Sequence, residues 1–370
     1  MYKTIGILTG GGDAPGLNAV IRAVIKTATG EFGARVIGIE DGFEGLLGDT
    51  KTRTLSQSDV RGLLPRGGTI LGTRNRGRFV EHTAEGVSST SEEVYQEAVN
   101  NVKRLGIDSL LVLGGEGTLT IAAEFDRRGV PVVGVPKTID NDLACTELTF
   151  GFVTALDIAT EALDRLHTTA ESHDRVMILE VMGRNAGWIA LHSGIAGGAD
   201  VILIPEIPFS MDAVAAKVRS RDAGGSNFSI IVTAEGAVET GHSQIFQDTG
   251  DTQHAPRLGG IAQYCRSQLE ELTGKETRCV VLGHLQRGGR PNAFDRMLAT
   301  TYGACAVRAL GEGKRGVMVA LQAGDVVTVP ISEAVANVKT VPPNGQMVRT
   351  ARDTGISFGA PDEAQHHRLV

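Results

Sequence analysis

The sequence predicts an α/β fold: two doubly wound, mostly parallel sheets in two domains. Three observations predict it. Short apolar runs recur without the polar alternation of a sheet that is wet on one face. Each run passes into Gly or polar residues and then into apolar residues at helical spacing, the mark of strand–loop–helix units. The length, 370 residues, makes roughly two domains of about 150 residues each.

"TIGILT" (4–9) reads as a buried strand, followed by "GGGDAPG" and the helix "LNAVIRAVIKTA". "SLLVL" (109–113) leads through "GGEGT" into "LTIAAEFDRR", and "VPVVGV" (130–135) leads into "PKTIDND" (136–142). The stretch from Phe152 to Ala170 has apolar residues at helical spacing and joins or opens the second domain. "RVMILEV" (175–181) leads into "MGRNAG" and "WIALHSGIA"; "VILIP" (201–205), "FSIIVTA" (228–234) and "CVVLG" (279–283) are further strands. "VPPNGQ" (341–346) is a break, and the tail "DEAQHHRLV" reads as exposed. Open sheets of this kind bind ligands at the carboxyl ends of their strands, so the expected active site is a cleft between the two domains.

Composition narrows the function. The net charge is -7 with no long basic run, and aromatics are only 4%, which argues against a nucleic-acid or membrane-surface partner. Phosphate ligands stay open, since they need only a local Arg cluster. Cys145, Cys265, Cys279 and Cys305 form no C-x-x-C pair, a pattern that suits a reducing cytosol and gives no zinc signature. No apolar run reaches ~18 residues, and the opening "MYKTIGILTGGG" is expected to be a strand and loop rather than a signal peptide.

Two glycine loops carry the first chemical signal. "LTGGGDAPG" places Gly10, Gly11 and Gly12 between a strand and a helix, where bare backbone amides and the positive helix end can meet a phosphate. It is neither G-x-G-x-x-G nor G-x-x-x-x-G-K-[ST]. "LGGEGT" (113–118) repeats the logic with Gly114, Gly115 and Gly117, adding the Glu116 carboxylate and the Thr118 hydroxyl. A carboxylate among phosphate-binding glycines implies a cation between them, and Mg²⁺ uses one or two carboxylates plus substrate phosphates. The alternative for each loop is a tight turn with an ordinary helix cap. In "PKTIDND" the plain alternative is a turn. The sharper reading is an active site on a non-helical segment, in which residues two apart face one side.

"GGGDAPGLNAVIR", "GGEGT", "PKTIDND", "EVMGR", "AEG" and "LGHLQRGG" occur in this order over about residues 4–310. Together they resemble the 6-phosphofructokinase family, which phosphorylates fructose 6-phosphate at its 1-hydroxyl. The resemblance implies Rossmann-like domains, ATP as co-substrate, Mg²⁺, a cytoplasmic setting and a homo-oligomer, usually a tetramer. It implies a larger nucleotide-binding domain (1–150 plus about 263–312) and a smaller sugar-phosphate-binding one (about 151–262 plus 313–370). Asp140 would accept the proton of the sugar hydroxyl, Thr138 would orient the reacting groups, and Arg184 would stabilise the transferring phosphoryl group. Gly11, Gly12, Gly115, Gly117 and Thr118 would hold the nucleotide, and Glu116 and Asp142 the metal. Met182, Gly183, Arg184 and Glu235 would contact the sugar, His284 and Arg287 its 6-phosphate. Arg175 and Arg278 would reach that phosphate from a neighbouring subunit. An Asp with pKa about 3.9 cannot ionise an alcohol beforehand, but it can take the proton as transfer proceeds.

The phosphoryl donor is read from two positions. ATP users of the family carry Gly after the metal-binding acid, as Gly117 does here, and an Asp there would repel the ATP α-phosphate. Lys137 points the other way, since pyrophosphate users carry Lys before "TIDND". The mixed pair resembles an actinobacterial ATP-dependent subgroup, so ATP is expected, with pyrophosphate the alternative. A catalytically silent sugar-phosphate-binding regulatory subunit is the alternative from another class; Asp140, Glu116 and Arg184 are all present against it. Where many members carry an Arg that aids transfer, Asn75 stands between Arg74 and Arg76. At the family's effector site Arg22 and Lys26 remain, while Gln57 and His167 replace expected Arg residues; weak or rewired allostery is expected.

Overall fold

The computed structural model describes residues 2–74, 77–83, 86–89, 91–248 and 257–361. Along the chain run β1 (Thr4–Thr9), α1 (Leu17–Glu31), β2 (Arg35–Ile39), β3 (Thr52–Leu55), the hairpin β4 (Val80–Thr83) and β5 (Gly86–Ser89), and α2 (Glu92–Arg104). Then come β6 (Ser109–Gly114), α3 (Glu116–Arg127), β7 (Val132–Pro136), α4 (Phe152–His173), β8 (Val176–Val181), α5 (Trp188–Ala196) and β9 (Val201–Leu203). They are followed by α6 (Met211–Ala223), β10 (Ser229–Ala234), the pair β11 (Phe246–Asp248) and β12 (Arg257–Leu258), α7 (Ile261–Thr273) and β13 (Thr277–Val281). The chain closes with α8 (Ala293–Gly311), β14 (Val317–Gln322), β15 (Asp325–Pro330), α9 (Ile331–Ala334) and α10 (Gln346–Asp353).

It divides into two compact units, Met1–Thr154 with Arg287–Val338, and Ala155–Gln286 with Lys339–Val370. Both expected crossings shift. Residues 263–286, expected in the first domain, lie in the second unit because β13 pairs with β8. Residues 313–338, expected in the second, lie in the first because β14 pairs with β7 and β15.

The first unit holds a seven-stranded sheet in the order β15-β14-β7-β6-β1-β2-β3. Its five central strands are parallel, and the two edge strands are antiparallel to their neighbours. Successive side chains go to opposite faces. Ile5, Ile7, Leu111, Leu113, Val133 and Val135 join one core with Leu17, Ile21 and Val24 of α1 and Tyr302 and Ala306 of α8. Leu8, Leu110, Val112 and Val132 join the other with Val99 of α2, Leu119 and Phe125 of α3 and Ile331 of α9. Covering both faces is what removes polar alternation from these strands.

β2 lies on one side of β1 and β6 on the other, so the winding reverses at β1. The carboxyl ends of β1, β6 and β7 are therefore neighbours, and the two glycine loops and "PKTIDND" leave the sheet there. Such a reversal is where open α/β sheets bind ligands.

The second unit has a four-stranded, all-parallel sheet, β13-β8-β10-β9. Val176, Ile178, Val201 and Ile231 pack there with Val214 of α6 and Cys265 and Leu269 of α7. Beyond α10 the chain returns to the outer edge of β9. Ile202 N donates to Ser357 O at 2.9 Å and Ser357 N to Asp200 O at 3.0 Å, so this edge does not present bare backbone.

Candidate active site

In the first unit three loops meet at the reversal point. The β1 loop is fixed from both sides: Gly10 N donates to Leu113 O at 2.9 Å and Gly11 N to Arg74 O at 3.2 Å. Thr73 Oγ1 donates to Gly11 O at 2.5 Å. Gly11 has φ +74°, a conformation that glycine adopts without a steric cost.

The β6 loop opens α3, so Gly115, Glu116 and Gly117 occupy the cap and first turn, where amides lack helix partners. Thr118, expected to hold the nucleotide, also has a packing role. Its side chain is buried, and a Cβ on Gly10 or Gly114 would fall 2.5 or 2.3 Å from its Cγ2. It is thus a wedge between the two loops and the reason two of their glycines are bare. Gly117 has no such reason. Nothing lies within 4 Å of a Cβ placed there, and its φ is not positive. A glycine within a helix costs up to ~1 kcal/mol against Ala, so the fold alone does not account for it.

The third loop starts at Lys137, whose backbone N donates to Gly114 O at 2.9 Å. Its side chain is 3% exposed, and Nζ donates to Gly12 O at 2.5 Å. Burial, and then the Arg287 charge, bring the ammonium down to about 8, against the pull of Asp140, Asp13 and Asp142. The segment is non-helical, as expected. Thr138 Oγ1 accepts from Asp140 N at 3.1 Å. Asp140 Oδ1 is shielded from solvent and has no hydrogen-bond partner among the described residues. Burial and the neighbouring Asp142 charge raise this carboxyl to about 6, although Arg287 and Lys137 oppose the rise. Loss of water, and then Asp142, also raise the Glu116 carboxyl. Glu116 and Asp140 therefore both sense Asp142, negative charge that a divalent cation would relieve.

Arg287, expected with His284 at a sugar phosphate, belongs to the first unit. Its Nη1 donates to Asp13 O at 3.2 Å, and a Cβ on Gly12 would fall 2.6 Å from that nitrogen. Two cations, Lys137 and Arg287, thus fasten consecutive carbonyls of the β1 loop. His284 lies on a 3-10 turn, Gly283–Gln286, of the second unit and is exposed. Arg74 turns its guanidinium to Asp41, 3.6 Å away; Asn75 and Arg76 lie outside the described residues.

In the second unit the ends of β8 and β10 run together. Glu235 N donates to Val181 O at 2.9 Å and Gly236 N to Gly183 O at 3.1 Å, which brings Met182, Gly183 and Arg184 beside Glu235. Gly183 has φ +145°; Met182 is buried and Arg184 exposed. Gln244 ties the two ends, its Nε2 donating to Arg184 O at 3.1 Å and Gly236 O at 3.2 Å. Sequence reasoning missed Gln244, which stands in no motif and acts through the backbone alone.

Arg175 and Arg278 are at the other end of the same sheet. Arg175 precedes β8, and Arg278 pairs with Met177, whereas Arg184 follows the strand. Seven steps of ~3.3 Å put Arg175 roughly 20 Å from Met182. Both cations are engaged by Glu276, Arg175 Nε at 2.9 Å, and Arg278 also meets Glu270 at 3.6 Å. Of the positions expected at an effector site, Gln57 spends its amide on Thr29 and His167 its Nε2 on Gly197 O.

Residues 4–310 match the model of the family described as phosphofructokinase. A protein of Chloroflexus aurantiacus named ATP-dependent 6-phosphofructokinase is 58% identical over 96% of this chain and 98% of its own. One of Streptomyces coelicolor named pyrophosphate–fructose 6-phosphate 1-phosphotransferase is 49% identical over 96% of this chain and 99% of its own. The solved Pichia pastoris phosphofructokinase is similar with a TM-score of 0.79 and 34% identity; the match covers all of this chain and 38% of that one.

Proposed function

The chain belongs to the phosphofructokinase family, and from that premise we propose that it transfers the γ-phosphoryl group of ATP to the 1-hydroxyl of fructose 6-phosphate. The products are fructose 1,6-bisphosphate and ADP. The observation that carries the reading is Asp140: a carboxylate with a shielded, unpartnered oxygen, at the reversal point of the sheet, beside two glycine loops.

As the sugar O1–phosphorus bond forms and the bond from phosphorus to the β-phosphate oxygen breaks, the hydroxyl proton passes to Asp140. Its raised pKa suits the task better than an ordinary aspartate, since a base works best when its pKa approaches the working pH. Thr138 fixes the Asp140 backbone, and Arg184 stabilises the charge of the moving phosphoryl group. The amides of the first turn of α3 and of Gly12 receive the donor phosphates; Gly11, whose N–H is held by Arg74 O, offers them its bare Cα. Glu116 and Asp142 would hold Mg²⁺, a set of two carboxylates that suits this ion. When bound, it neutralises donor phosphate charge. We assign Met182, Gly183, Glu235, His284 and Arg287 to the sugar phosphate. In a homo-oligomer, Arg175 and Arg278 would leave Glu276 for a neighbouring subunit's substrate.

The open space at Gly117 favours ATP, because an α-phosphate needs room where nothing else explains a glycine. Lys137 supports a second reading with pyrophosphate as donor, in which its ammonium would take over the charge neutralisation of the smaller donor. Its hydrogen bond to Gly12 O gives it a fastening role under either donor. We place the protein in the cytoplasm, in keeping with four unpaired cysteines; no helix among the described residues is long and apolar enough to cross a membrane.

The test is Asp140→Asn. A general base contributes roughly 10²–10⁴-fold, so kcat should fall by that order while fructose 6-phosphate still binds. Normal turnover in this variant would remove Asp140 from the mechanism.

A further inference from the structure

We propose that Asn141 and Thr149 form a positioning pair that holds Asp140 in its reactive place, an inference that rests on the reading of Asp140 as the base. Asn141 stands between the two aspartates of the loop with φ +52°. That left-handed backbone restricts the position to Gly, Asn or Asp in the main. Turn geometry alone would thus be served by glycine. The side chain, however, is 3% exposed and hydrogen-bonded inward. Its Oδ1 accepts from Thr149 N at 3.1 Å, and its Nδ2 lies 3.4 Å from Glu147 O as donor.

Thr149 completes the pair. It is fully buried, and its Oγ1 donates to Thr138 O at 2.6 Å. The same hydroxyl is 3.4 Å from Asn141 Oδ1, but its single proton serves the shorter contact. Thr149 therefore grips the chain on both sides of Asp140, at Thr138 by its hydroxyl and at Asn141 by its amide. With the bonds from Asp140 N to Thr138 Oγ1 and from Asn141 Nδ2 to Glu147 O, the chain around the base is fixed by four hydrogen bonds within residues 138–149.

The grip is useful only if Thr149 itself cannot move. The segment behind it is anchored to β14 and α8. Glu147 N donates to Leu321 O at 2.9 Å, and Leu321 N to Thr146 Oγ1 at 3.0 Å. The buried Tyr302 hydroxyl donates to Leu148 O at 2.7 Å, and Gly151 N donates to Asp295 Oδ1 at 2.9 Å. Position is thus passed from the core to Thr149, and from Thr149 to the base. None of these groups has a part in the chemistry.

The experiment compares Thr149→Val, Thr149→Ser, Asn141→Gly and the Val/Gly double variant by steady-state kinetics and melting temperature. Valine keeps the shape but not the hydroxyl; glycine keeps the left-handed backbone but not the amide. Misplacing a catalytic group by about 1 Å can cost ~10²-fold, so Thr149→Val and Asn141→Gly should each lose about 10–100-fold in kcat with both KM values nearly unchanged. Thr149→Ser should recover most of that loss, and the double variant should be little worse than the poorer single one. Should Thr149→Val not fold, Asn141→Gly and Thr149→Ser still decide the matter. Undiminished kcat in Asn141→Gly, a loss confined to KM, or a serine variant as poor as valine would each overturn the pair. A wild type that phosphorylates fructose 6-phosphate from neither donor would instead overturn the function, a distinguishable result.

Discussion

Lys137 and Asp140 each perturb the other's charge, and the pH profile should report it. Asp140 must be unprotonated to accept the hydroxyl proton, so kcat/KM should fall about tenfold per unit as pH drops below about 6. The Lys137 ammonium draws the Asp140 pKa down. Replacing it by Met removes that pull, so the acid limb of Lys137→Met should move to higher pH. An acid limb that stays in place, or moves down, would show that the two charges do not communicate. The sign for stability is also fixed. Lys137 has a folded value near 8 against an ordinary 10.5, so the unfolded chain holds the proton more tightly. Its burial costs stability below about pH 8, and the cost fades as pH rises towards 10.5. Much of this site was legible, because "PKTIDND" concentrates residue types that a plain turn does not need. What stayed hidden were contacts from far along the chain: Arg287 on Gly12, and Thr118 as a wedge between two loops. A motif shows which residues stand together in sequence, not which loop a distant guanidinium lies on.

At the scale of elements, the first turn of α3 is where donor choice should be set. Gly117→Asp meets empty space and an acidic residue suits a first turn, so the fold should be kept. The new carboxylate would face the donor phosphates. KM for ATP should rise roughly tenfold or more, a penalty of ~1.4 kcal/mol, and turnover with pyrophosphate should improve relative to ATP. An unchanged KM for ATP would place the donor elsewhere. A second element-scale device is Asp295 at the start of α8. It is fully buried and accepts from Gly151 N, Thr154 N and Thr154 Oγ1 at 2.9, 2.7 and 2.5 Å. Meanwhile Asn292 caps α8 through Asp295 N at 2.8 Å. One carboxylate thus serves the amino end of α4 from within that of α8. Asp295→Ala strands these donors and should cost about 2–4 kcal/mol, read as a lower denaturant midpoint; a midpoint equal to wild type would refute the clamp. The strands themselves were legible because coverage on both faces makes them continuously apolar. The sheet each late strand joins was not, since β13 and β14 are allotted by their pairing partners, β8 and β7, and not by their own residues.

At the scale of the whole molecule, the assembly prediction follows from β8. Arg184 and Arg175 lie at opposite ends of one strand, too far apart to serve one small substrate within a single unit. If Arg175 and Arg278 act on a neighbour, a refolded mixture of Asp140→Asn and Arg278→Ala subunits should regain activity that neither parent has. A mixture no better than its parents would confine these arginines to their own subunit. The Gly117/Lys137 combination makes the donor the claim on which the account turns. The direct measurement is the initial rate of fructose 1,6-bisphosphate formation from fructose 6-phosphate and Mg²⁺, with ATP or with pyrophosphate in place of it. Turnover is expected with ATP, with ADP released in equal amount, and little or none with pyrophosphate. Turnover with pyrophosphate and none with ATP would contradict it.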